Sequence, residues 1–277
     1  GIAEEHAVTF AAALAAQGIK PVAAIYSTFI QRGLDQVIHD AALQKLPLIL
    51  ALDRSGFVGE DGETHQGLFD IALLRPVPGI RILCPADAGE LGLMLDWALG
   101  RSNLSGGPIV IRYPKDRSPA EIPAFSQPLV EGRGSWIRSG KAGEEVSVCL
   151  AFTGGLYREV VWAAGLLDKM GLGVDCYNLR FLKPVDEDYL AAVMDRYALT
   201  LFVEEGIREG GFGEYALALA RRRNCRGKVL ALAAEGNFAG LGTRQELLRV
   251  NRLDGEGIAD YALTGISVRR RAERIGK

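Results

Sequence analysis

The side chains that move protons near neutral pH are unevenly spread over this 277-residue sequence. All three histidines, His6, His39 and His65, fall in its first quarter. The chain opens GIAEEHAVTFAAALAAQG, which sets Glu4, Glu5 and His6 ahead of a run of alanines. A second concentration is DRSGFVGEDGETHQGLF, residues 53–69, where Asp61 and His65 share a glycine-rich stretch without helical or strand period. Carboxyl and imidazole groups serve as general acids and bases, and loops of this length inside compact domains are usually functional or disordered. Tyr26, Phe29 and Arg32 in YSTFIQR, and Lys115 in RYPKD, follow directly on apolar runs. Each also has a structural reading: a first-turn Glu favoured by the helix dipole, a core Phe, a solvated Arg, a loop His capping a turn.

The elements that would position these residues alternate in type. Glu4 to Ala16 are nearly all helix formers with Gly18 as a stop, which predicts a buried helix. KPVAAIY reads as a strand, QRGLDQVIHDAALQK as one amphipathic helix, LPLILAL as a buried strand; IRILCP and PIVIRYP follow as strands around a helix from about 88 to 99. On that helix Arg32, Asp35, Gln36 and His39 would form one polar stripe, with His39 structural. Residues 114–144 carry four prolines and few apolar runs, the composition of a crossing between domains. The alternation then restarts: strands VSVCLAF, GVDCYNL, LTLFVEE and KVLALAA, with helices at 156–170, 187–196 and 212–222 between them. The strands are apolar throughout, as in parallel sheets covered on both faces. The fold class is therefore α/β, two domains with mainly parallel sheets flanked by helices. The expected division is 1–125, a connector 126–143, and 144–277. Ligands of such sheets gather at the carboxyl ends of the strands, and the chemistry-bearing residues put the site in the first domain.

A net charge of -2 gives no reason to expect nucleic acid or an anionic membrane as partner. The longest apolar stretch, Ala7 to Ala16, is too short to span a bilayer and lacks the basic start of a signal peptide. Four widely spaced cysteines without a Cys-x-x-Cys pair read as reduced, buried residues of a cytoplasmic protein, with no metal ligands among them. Glycines in EGGFGE read as a tight turn into a helix, and the arginine clusters at 221–223 and 269–271 as solvated helix ends.

IAEEHAVTFAAALA, YSTFIQRGLDQVIHDAALQKLP, DGETHQGLFD and IRYP, with NLRFLKPVD and VEEG…GGFGE further on, resemble the 1-deoxy-D-xylulose-5-phosphate synthase family of the transketolase superfamily. The resemblance covers the whole chain. It implies a transketolase-like pyrimidine-binding domain, N-terminally incomplete, followed by the C-terminal domain. The diphosphate-binding domain, which holds Mg2+ and the diphosphate of thiamine diphosphate, would lie outside this sequence, and the Gly-Asp-Gly…Asn pattern of that domain does not occur in it. Glu4 would hydrogen-bond the aminopyrimidine and promote loss of the thiazolium proton, with Glu5 taking that role only if the register slipped by one. Phe29 would stack on the ring; Tyr26 and Arg32 would line the substrate channel. Asp61 and His65 would meet the donor-derived intermediate and the acceptor aldehyde, His65 as proton donor. Lys115 departs from the family's Arg, and Asp116 from its Gly, which weakens the local field for an acceptor phosphate. The implied reaction joins pyruvate to D-glyceraldehyde 3-phosphate, giving 1-deoxy-D-xylulose 5-phosphate and CO2 for isoprenoid, thiamine and pyridoxal biosynthesis. The implied assembly is a homodimer or a complex with a diphosphate-binding domain or subunit, the chain alone being inactive. Alternatives are a transketolase, a 2-oxoacid dehydrogenase β-subunit-like protein, and a non-catalytic scaffold half.

Overall fold

The computed structural model describes residues 1–101, 106–120, 122–138, 147–236 and 238–275. Helix α1 (Glu4–Ala16) leads into β1 (Val22–Tyr26), then a 3-10 turn (Ser27–Gly33), α2 (Leu34–Gln36) and a wide π-type segment (Val37–Ala42). Next come β2 (Ile49–Asp53), α3 (Asp70–Leu74), β3 (Arg81–Leu83), α4 (Ala88–Arg101) and β4 (Ile109–Arg112). β5 (Ser135–Arg138), β6 (Ser147–Phe152), α5 (Tyr157–Lys169), β7 (Gly173–Asn178), β8 (Phe181–Lys183) and α6 (Glu187–Asp195) follow. The chain ends with β9 (Leu199–Ile207), α7 (Phe212–Arg222), β10 (Lys228–Ala234), α8 (Arg244–Val250) and α9 (Gly255–Ile275). These elements build two five-stranded sheets, ordered β1-β2-β4-β3-β8 and β10-β9-β6-β7-β5. Each is parallel except for one antiparallel edge strand, β8 in the first and β5 in the second.

Several expectations are revised. Residues 27–42 do not form one α-helix: the chain starts tight and then widens, so Arg32, Asp35, Gln36 and His39 lose the common phase of a 3.6-residue stripe. Helix α1 is buried on one face only, through Val8, Ala11, Ala12 and Ala15, while Phe10 stays exposed. The connector supplies β5 to the second sheet, and β8, which lies beyond it, adds to the first, so the second half lends a strand back across the crossing. Residues 139–146, where the second domain was expected to begin, lie outside the described residues, as do the side chains of the 269–271 cluster. Arg222 and Arg223 are not simply solvated: they pair with Glu187, and Arg223 also with Asp188, on α6. Cys84, Cys149 and Cys176 are buried free thiols, and burial raises the pKa of each.

Buried charge ties the halves together. Glu90 of α4 is fully buried and accepts from Arg180 Nε (2.6 Å), Asn178 Nδ2 (2.9 Å) and Ala86 N (2.6 Å). Arg180 also donates to the carbonyls of Phe125 (2.6 Å) and Gln127 (2.8 Å), pinning the connector against both sheets. Removing one member of such a pair leaves the other charged and unpaired, so Arg180→Ala should cost about 3 kcal/mol in urea unfolding. Glu90→Gln/Arg180→Met should cost distinctly less.

Glu204 on β9 is buried, with Oε2 accepting from Gly213 N (2.9 Å) and Oε1 unpartnered. Burial pushes its carboxyl above the ordinary value of 4.5. The folded state therefore holds this proton more tightly than the unfolded chain does. The resulting stability is complete below 4.5 and is lost as pH rises through the folded-state value. Glu204→Gln should gain stability relative to the native chain as pH rises above about 4.5 in paired urea titrations. Parallel curves would contradict this.

Candidate functional site

The site residues meet where β1, β2 and β4 end. β1 delivers Tyr26, and the 3-10 turn that follows carries Phe29 and Arg32. That turn is tied to the glycine-rich loop by Ser27 Oγ, which donates to Gly67 O (3.3 Å), and by Thr28 Oγ1, which donates to Thr64 O (3.2 Å). The approach requires glycine at position 67, because a Cβ there would run into Arg54 O and lie 2.7 Å from Ser27 Oγ. The loop itself is compact: two short 3-10 turns, Gly59–Asp61 and Glu63–His65, between Gly56 and Gly67, which exchange backbone hydrogen bonds of 2.7 and 2.8 Å.

The aromatic rings form a continuous wall. Tyr26 stacks on Phe29 with centroids 5.5 Å apart and 14° between planes, and His65 meets Phe29 edge-on at 5.2 Å. Cations flank the wall, Arg32 at 5.3 Å from the Phe29 centroid and Arg54 at 3.8 Å from that of Tyr26. Thr64 Oγ1 lies 3.0 Å from His65 Nδ1. Asp61 Oδ2 accepts from Lys115 Nζ at 2.7 Å and lies 3.7 Å from Arg54 Nε. The hydrogen bond from Lys115 holds the Asp61 carboxyl below its ordinary value. Arg54 escaped the sequence reading. Its signal is its position as the first residue past β2, and it adopts φ +59, a left-handed conformation that non-glycine residues occupy at some cost.

Glu4 lies in the first turn of α1, which packs on the Tyr26-to-Gly33 segment so closely that a Cβ on Gly33 would be 3.3 Å from Glu4 O and 3.1 Å from Val8 Cγ2. Among the described residues Glu4 Oε2 is buried without a hydrogen-bond partner, and so is Gln36 Oε1. Buried polar atoms in native proteins are overwhelmingly paired, so an orphaned carboxylate oxygen on the helix that packs against this turn makes Glu4 a candidate for binding a ligand donor. Glu5 is exposed. His6 stacks on exposed Phe10, and His39 is a surface residue 3.4 Å from Asp40; neither is placed with the aromatic wall. Asp116 and Lys115 take different partners. The Asp116 carboxylate pairs with Arg244 Nη1 at 2.9 Å, while the Lys115 ammonium goes to Asp61.

Comparison with known proteins agrees with this architecture. Residues 1–120 match the family model of the transketolase pyrimidine binding domain, and residues 141–258 that of the transketolase C-terminal domain. The chain is 50% identical over 262 residues to a 1-deoxy-D-xylulose-5-phosphate synthase of Treponema pallidum, covering 95% of this chain and 40% of that protein. The synthase of Thermotoga maritima is 39% identical over 275 residues, covering 99% and 43%. The chain thus spans about two fifths of the length of these relatives. Among solved structures, a split-gene transketolase described as an inactive β4 tetramer superimposes with TM-score 0.83 at 23% identity, over 96% of this chain and 83% of that one. A transketolase mutant from Pichia stipitis gives 0.71 at 18%, over 91% and 34%. The chain belongs to the transketolase superfamily, as a homologue of the pyrimidine-binding and C-terminal domains of 1-deoxy-D-xylulose-5-phosphate synthases.

Proposed function

We propose that this chain is the pyrimidine-side part of a thiamine-diphosphate-dependent synthase that condenses pyruvate with D-glyceraldehyde 3-phosphate to 1-deoxy-D-xylulose 5-phosphate and CO2. The observation that carries the reading is Glu4 Oε2, buried with no hydrogen-bond partner among the described residues, on a helix that packs against the segment bearing Tyr26 and Phe29. That combination fits one flat heteroaromatic ring with a nitrogen that needs a carboxyl partner. When bound, thiamine diphosphate supplies an electron sink for the pyruvate-derived two-carbon unit. The residues of this chain then do the rest. Glu4 shares a proton with the ring nitrogen. Phe29 holds the ring plane, and the aromatic wall keeps water from the reacting carbon. His65, its Nδ1 beside Thr64 Oγ1, presents its other nitrogen as proton donor to the alkoxide formed when the acceptor carbonyl is attacked. Arg54 and Lys115, joined through Asp61, offer two cations to the acceptor phosphate, with Tyr26 beneath Arg54. The diphosphate and Mg2+ would be held by a diphosphate-binding domain or subunit outside these 277 residues.

The direct test supplies the chain with thiamine diphosphate, Mg2+ and both substrates, with and without the diphosphate-binding portion of a homologous synthase, and follows CO2 and product by mass. Turnover should need the added portion. Full turnover without it overturns the division of labour, and transfer to lipoamide instead of the aldehyde would identify a 2-oxoacid dehydrogenase subunit. In the reconstituted enzyme Glu4→Gln should lower kcat about a hundredfold or more, while unfolding free energy changes by less than about 1 kcal/mol. Lys115→Arg should lower the KM for glyceraldehyde 3-phosphate about threefold, because a planar fork replaces a single ammonium, with the KM for pyruvate unchanged.

A further inference from the structure

Resting on that reading of the site, we propose that the Glu205–Arg244 pair of the C-terminal half is a positioning device for the substrate loop. It fixes the backbone from which Asp61 and His65 reach the acceptor, and it takes up the Asp116 charge beside Lys115. Glu205 stands on β9 at 2% exposure. Its Oε1 accepts from Phe57 N at 3.0 Å and from Arg244 Nε at 3.1 Å, and its Oε2 from Arg244 Nη2 at 2.5 Å. Arg244 also donates to Gly155 O at 3.1 Å and to Asp116 Oδ2 at 2.9 Å. One guanidinium thereby joins β9, the start of α5 and the segment that carries Lys115.

The loop is moulded on this pair at its glycines. Gly56, at φ +83, lies so close to the Glu205 carboxyl that no Cβ fits, and a Cβ on Gly59 would be 2.9 Å from Arg244 N. Beyond these contacts Val58 N donates to Gln66 Oε1 (2.9 Å), Gln66 Nε2 donates to Gly240 O (3.3 Å), and Ile207 N donates to Leu68 O (2.8 Å). Asp61 and His65 thus sit on a loop anchored to the second half of the chain as well as to Ser27 and Thr28 of the first. A glycine-rich loop free of such anchors would sample many conformations, and displacement of a reacting group by about 1 Å can cost about a hundredfold in rate. The buried carboxylate is rigid because a backbone N–H and a fork of guanidinium donors hold it together. Its loop contacts lead to the groups that would meet the acceptor, whereas Glu4 stands on α1 and Phe29 on the turn after β1. The pair should therefore govern acceptor recognition and leave the donor side alone.

The test uses Glu205→Gln, which keeps an acceptor for Phe57 N but removes the charge, together with Arg244→Lys and Arg244→Ala. Amide hydrogen exchange over residues 56–67 is measured on this chain, and steady-state constants for both substrates on the reconstituted enzyme. Exchange in the loop should quicken about tenfold in Glu205→Gln, with β6 unchanged, and kcat/KM for glyceraldehyde 3-phosphate should fall about tenfold, with the KM for pyruvate within about twofold. Arg244→Lys should fall between the native chain and Arg244→Ala. Unaltered loop exchange overturns the proposal, and so does an equal loss on donor and acceptor sides or a rise in exchange throughout the second sheet. If the native enzyme fails to form the product, the functional reading falls, while the loop-exchange result still decides the role of the pair.

Discussion

A guanidinium kept out of water at the end of β4 is the constraint on which the two halves depend. Arg112 is 3% exposed and donates to Asp70 through Nε (2.8 Å) and Nη2 (3.2 Å), and through Nη2 again to Glu205 O (3.0 Å). A charge that deep persists only if its donors are met, so the start of α3, the end of β4 and the middle of β9 must converge on one point. Asp70 and Ser55, joined at 3.1 Å, then fix both ends of the glycine-rich loop relative to the strand ends. The loop is therefore a shared product of both sheets: the first provides its attachment points, and the second provides the surface on which it lies.

This sharing bears on why Lys115 and Asp116 can stand in a site that would bind a phosphate. Two adjacent opposite charges would cancel if both side chains turned the same way. Here they part, the ammonium toward Asp61 and the carboxylate toward Arg244. Around Asp61 the two cations, Lys115 and Arg54, face two carboxylates, Asp61 itself and Asp53, which also pairs with Arg54. The Asp116 charge is met by a cation from a helix 128 residues away along the chain.

Aromatic geometry shows the same division between local and distant causes. Tyr26 and Phe29 are three residues apart, and a 3-10 turn, which brings residues i and i+3 into line, is the local reason that their rings stack. His65 joins them only because Thr28 and Ser27 hold the loop backbone at Thr64 and Gly67. No helix among the described residues is long and apolar enough to cross a membrane.

The sequence alone determined the alternation of apolar strands and helices, the α/β class and the two parallel sheets, because burial on both faces writes itself as apolar runs of fixed length. It also offered Glu4, Tyr26, Phe29, Arg32, Asp61, His65 and Lys115 as candidates, through motifs that resemble a known family. Only the tertiary structure decided that 27–42 would tighten and widen instead of forming one helix, that β5 and β8 would pair antiparallel at the sheet edges, and that Arg54 would reach Asp61 and Arg244 would reach Asp116. Strand exchange, buried ion pairs and a loop moulded on a distant carboxylate depend on contacts between residues dozens to more than a hundred positions apart. No local pattern of polarity or spacing encodes such contacts, because their energy exists only once both surfaces have been built.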